Sequence, residues 1–86
     1  MIDATEAASK AREYFDRVFE GAHPREILLE EIELSEDEKF WMVTFGFDWN
    51  PTSGTASIGP GDRKFKILRL AASTGTLISM KNTMMK

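Results

Sequence analysis

The side chains able to do covalent or metal chemistry are few and scattered. His23 is the one imidazole, and cysteine is absent. A metal site or an acid–base pair at His23 would need carboxylates alone, and no paired spacing around it suggests one. Beside Pro24 it reads as a cap or a surface residue. The run Glu30, Glu31, Glu33, Glu36, Asp37, Glu38 lacks the glycine and the spacing of a calcium loop and reads as a solvated hairpin edge. Ser53, Thr55 and Ser57 have no flanking base, so a nucleophilic role has no support. Gly54 and Gly59 have the spacing of a phosphate-binding loop, but Pro60 stands where that loop needs its lysine. These residues point away from an enzyme, and neither a catalytic residue, a metal nor another cofactor is expected.

The basic segment Arg63, Lys64, Lys66, Arg69 has Phe65 among its charges, as a single-strand nucleic-acid platform would. The acidic remainder opposes that reading, because the chain carries a net −3. Its distribution says more than its sum. Residues 1–50 hold thirteen acids and five bases, whereas residues 51–86 hold one acid, Asp62, and six bases. Neutralisation between neighbouring elements explains such a split. A two-signed surface that orients a charged partner is the sharper reading.

Eighty-six residues leave room for one domain, 1–86, with a small core. Without cysteine there is no disulfide staple, which fits a reducing compartment. The opening MIDATEAASK does not read as a signal peptide, and no stretch is long enough to span a bilayer. A soluble, cytoplasmic protein with no membrane partner is expected.

Residues 3–20 place Ala4, Ala7, Ala8, Ala11, Tyr14, Phe15, Val18 and Phe19 at helical spacing. Asp3 and Glu6 resemble a capping box, and Gly21 is placed to end the helix in a left-handed turn. The stripe is small at its beginning and aromatic at its end, which suits a helix lying across a twisted sheet. Residues 25–34 read as a strand, with Leu28, Ile32 and Leu34 on one parity, Glu30 the exception, and Ile27 and Leu29 on the other face near the start, where a bulge changes the register. Residues 35–38 make the turn. Residues 63–70 and 76–81 read as the last two strands, joined through Gly75 in a left-handed position. Residues 50–62 read as a long loop, and the tail 82–86 as frayed.

The strand 39–49 organises the rest. Trp41, Val43, Phe45, Phe47 and Trp49 would share one face, because strand side chains alternate. Phe40 and Met42 add apolar surface to the other, so this strand needs cover on both sides. The expected architecture is α+β, with one N-terminal helix packed on a four-stranded antiparallel meander sheet.

This order, with Phe65 to Leu70, the Thr74-Gly75 turn, Leu77 to Met80 and the apolar Trp41 and Val43, resembles the small PepSY-like domains. Those are similar to cystatin-like folds, and larger members are associated with inhibiting or regulating peptidases, often outside the cytoplasm. Ala71 stands where such domains often have an acid, and residues 50–62 are an insertion. The resemblance implies a non-catalytic binding module.

One helix covers only one sheet face, so Phe40 and Met42, with Leu68 or Leu70 if they share that side, would form an apolar patch of the kind that marks interfaces. The expected protein-binding residues are Phe40, Met42, Trp49, Ile58, Leu68 and Leu70. The partner is then another protein, with the chain acting as an inhibitor, an immunity-type neutraliser or an accessory subunit. Two other readings are a homodimer with its sheets face to face, and an apolar-ligand binder with a pocket lined by Tyr14, Trp41 and Phe45.

Overall fold

The computed structural model describes residues 1–21, 24–49 and 62–83. One helix, α1 (Ala4–Val18), precedes four strands, β1 (Arg25–Leu34), β2 (Phe40–Trp49), β3 (Asp62–Ala71) and β4 (Leu77–Thr83). The strands pair antiparallel in the order β1-β2-β3-β4, and the helix packs on one side of the open sheet. The architecture is α+β, as the sequence indicates. His23, residues 50–61 with Ile58, and residues 84–86 lie outside the described residues. Asn82 and Thr83, expected in a frayed tail, belong to β4, where they pair with Lys66 and Phe65.

Asp3 caps α1 by accepting from the Glu6 amide at 2.8 Å. The helix ends earlier than its periodicity suggests. Phe19 is the C-cap at φ −103°, and Gly21 does not take the left-handed conformation expected of it. The buried stripe is also narrower. Ala7, Ala11 and Phe15 are fully buried, whereas Val18 is 58% exposed. The alanines let the first turns approach the sheet closely. Phe15 then fills the wider gap, its ring centroid 5.5 Å from Phe45, 5.1 Å from Phe47 and 4.7 Å from Phe19.

The chain start is tied to the far end of the sheet. Ile2 donates its amide to the Ala72 carbonyl at 2.9 Å, and the Trp41 indole N–H donates to the Ile2 carbonyl at 3.0 Å. The β3–β4 hairpin closes on the same place. Gly75 has φ +81°, and a Cβ there would collide with the Lys10 stem and press on Ile2 Cδ1 at 3.1 Å. Glycine is therefore required twice, by backbone conformation and by space. Strand β1 is irregular, with register shifts between Arg25 and Leu28 and between Leu29 and Glu31. The irregularity expected near the start of the strand is there as the first of these shifts, and the second, between Leu29 and Glu31, separates Leu28 from Ile32 and Leu34, whose parity places them together in the sequence. Leu28 pairs with Gly46, and Ile32 and Leu34 pair with Val43 and Trp41. Opposed residues share a side, so Leu28 lies on the face away from the helix.

Two substitutions test this account. Phe15→Ala should cost roughly 3–5 kcal/mol by chemical denaturation. That approaches the whole stability of a domain this size, so a loss under about 1 kcal/mol would show that the ring cluster is not the core. Gly75→Ala should cost about 1–2 kcal/mol, because Lys10 can move aside but the left-handed φ remains. A neutral result there would remove the conformational argument.

Candidate interaction face

Ring contacts from Phe15 fix the odd positions of β2 on the helix side, so its even positions form the opposite face. The registers extend that face across the sheet. Phe40 lies beside Ala71, Met42 between Glu33 and Arg69, Thr44 between Glu31 and Ile67, and Gly46 between Leu28 and Phe65. Strand β4 adds Ser79 beside Arg69 and Lys81 beside Ile67. Among the described residues no second layer covers this side.

The face has an apolar centre and two charged margins. Phe40, Met42, Phe65 and Ile67 are half-buried side chains along β2 and β3. Thr44 is 3% exposed between its larger neighbours. Glu31 and Glu33 stand exposed on β1, Arg69 on β3 and Lys81 on β4. The Arg69 guanidinium carbon lies 5.2 Å from the Phe40 ring centroid, which holds a cation against the aromatic at the turn end of the face. Ser35, Glu36 and Asp37 join Phe40, Met42 and Arg69 around a shallow recess of about 400 Å³.

The β1–β2 turn that forms this rim is well tied. The Phe40 amide donates to Ser35 Oγ at 3.1 Å, the Ser35 hydroxyl donates to Asp37 Oδ1 at 2.6 Å, and the Lys39 amide donates to the same oxygen at 3.0 Å. The Ser35 hydroxyl and then the Lys39 amide hold the Asp37 carboxyl below its ordinary 3.8. Glu38 takes a left-handed φ of 59° within the turn.

Of the side chains expected on this face, Phe40 and Met42 are there. Leu68 and Leu70 are not. Each is 0% exposed on the helix side, opposite Val43 and Trp41, and belongs to the core. The Trp49 side chain and Ile58 lie outside the described residues. Sequence reasoning missed Phe65, Ile67 and Leu28 as members of the face. The pattern of β3 hides them: its even positions are lysines at 64 and 66 and leucines at 68 and 70. Lys66 is nevertheless on the helix side, with Nζ 5.7 Å from the Phe19 ring centroid at the helix end. Of the side chains named for a ligand pocket, Phe45 is buried against Phe15, while Tyr14 and Trp41 pack partly buried on the same core.

No family model, curated protein or solved structure matches this chain. No helix among the described residues is long and apolar enough to cross a membrane.

Asp37 gives the face a measurable pH signature. Its carboxyl titrates lower in the folded chain than in the unfolded one, so its contribution to the turn is complete above about pH 3.8 and is lost as pH falls through the folded value. The Lys39 amide resonance should follow that transition, and Asp37→Ala should abolish it. An identical titration of Lys39 in the variant would sink the assignment.

Proposed function

We propose that this chain is a non-catalytic protein-binding module that works through the sheet face opposite its helix. The observation that supports this reading is the half-buried stripe Phe40, Met42, Phe65 and Ile67, bordered by exposed acids on β1 and bases on β3 and β4. Aromatic residues and methionine are enriched at interface centres, and charges at the rim fix orientation. Arg69, held against the Phe40 ring, is of a residue type in which binding energy concentrates. Inhibition, neutralisation or accessory-subunit roles are all binding roles of this kind. The resemblance to PepSY-like domains agrees with such a module. Asp37, whose carboxyl is shifted, has its own turn to account for the shift and supplies no catalytic argument.

The reading is tested by placing a charge at the centre of the face. Met42→Asp should leave a folded domain, at a cost of about 1 kcal/mol for a half-buried site, and should lose association with any protein that binds the wild type. Glu13→Lys, on the exposed side of the helix, should keep it. Association that survives Met42→Asp and disappears with Glu13→Lys would move the interface to the helix and overturn the proposal.

A further inference from the structure

We infer that the occupant of the open face is a second copy of this chain, the two sheets packed face to face about a twofold axis parallel to the strands. The inference rests on the binding role proposed for that face and adds the partner and its orientation. In this arrangement β1 of each copy lies over β4 of the other, and β2 over β3.

Charge makes the selection. Two rows of side chains cross the face in register. One runs Glu31, Thr44, Ile67, Lys81 and the other Glu33, Met42, Arg69, Ser79. Each begins with an acid on β1 and meets a base on β3 or β4. Among the described residues neither Glu31 nor Lys81 has an ion-pair partner. Three strand spacings of about 4.8 Å keep them roughly 14 Å apart within one chain. A twofold axis along the strands reverses the row, so Glu31 of one copy faces Lys81 of the other, twice in the pair. An axis across the strands would instead lay β1 on β1 and set the glutamates against one another, which is unfavourable.

Size agrees with charge. The same axis sets Ile67 over Thr44 at the centre, Phe65 over Gly46 and Phe40 over Ala71, large against small at three of the four β2–β3 positions, while the fourth sets the exposed Arg69 over Met42. Stacked sheets cross at about 30°. At the edge strands, roughly 7 Å from the axis, that rotation shifts the facing positions by about one residue, which Glu and Lys side chains can span. Four strands of up to ten residues present roughly 600 Å² per copy, so a pair buries roughly 1,200 Å², the lower limit of a specific interface. A reversible dimer is expected.

The decisive experiment is sedimentation equilibrium from micromolar to millimolar protein on the wild type, Glu31→Lys, Lys81→Glu, and an equimolar mixture of the two variants. The wild type should dimerise. Each variant alone sets like charges together at both symmetric contacts and should associate roughly tenfold or more weakly. The mixture restores both opposite-charge contacts and should recover the wild-type dimer, which also demonstrates that both variants are folded. Wild type that stays monomeric throughout overturns self-pairing while leaving the face free for a heterologous protein, a role that Met42→Asp tests separately. Dimers insensitive to both reversals, or a mixture that does not recover, place the contact elsewhere or in another orientation and overturn the inference as well. Dimers insensitive to Met42→Asp too would remove the open face from self-association and count against the binding role itself.

Discussion

One helix must cover a four-stranded sheet, and Phe15 is where that cover is made. Its ring meets Phe19, Phe45 and Phe47 and has no exposed surface. Ahead of it, Ala7 and Ala11 allow close approach, and Ile2 is bonded to Ala72 and Trp41 at the opposite end of the sheet. The helix is thereby fixed at two points, by hydrogen bonds near its start and by aromatic packing near its end. Among the described residues no second helix repeats the arrangement. Burial of one face leaves the other to be satisfied differently, and the composition of β2, apolar on both parities at its beginning, reflects that.

The uncovered face is held in a defined shape by the elements that border it. The Ser35, Asp37 and Lys39 bonds close the β1–β2 turn, and Gly75 closes β3–β4 against Lys10 and Ile2. Both turns lie at the end of the sheet that carries Phe40. The Arg69 guanidinium lies over that ring, so one cationic side chain already has a fixed place on the face. Preorganisation of this kind lowers the ordering cost of association, which matters most for an interface of modest area.

Most of the frame is legible in the residues. Helical spacing from Ala4 to Phe19, the β-branched and aromatic content of β2, and the Thr74-Gly75 turn each depend on local chemistry that sequence expresses directly. Parity on β3 does not. Lysines at 64 and 66 share the side of Leu68 and Leu70 because the long lysine stem can lie along Phe19 while its ammonium reaches outward. That local accommodation reverses the face to which Phe65 and Ile67 belong. On β1, the register shift between Leu29 and Glu31 sends Leu28 and Ile32 to opposite sides despite their even spacing. In both strands the residue types express the strand itself but not which face each side chain takes. Phe40 and Met42 lie on the open face, whereas Leu68 and Leu70, on the other parity of β3, belong to the core.

The charge split acquires a spatial meaning only through the topology. In a meander the order along the chain becomes the order across the sheet, so an acidic first half and a basic second half become an acidic margin on β1 and a basic one on β3 and β4. Neighbouring strands can bring opposite signs side by side, as Asp48 on β2 stands opposite Arg25 at the end of β1. They cannot do so for Glu31 and Lys81, which stand on opposite edges of one face. A gradient across a flat apolar surface is self-complementary in one orientation and self-repelling in the other. In the proposed pairing the apolar centre would supply attraction without direction and the margins direction, the division of labour expected of an interface that must select its partner's orientation.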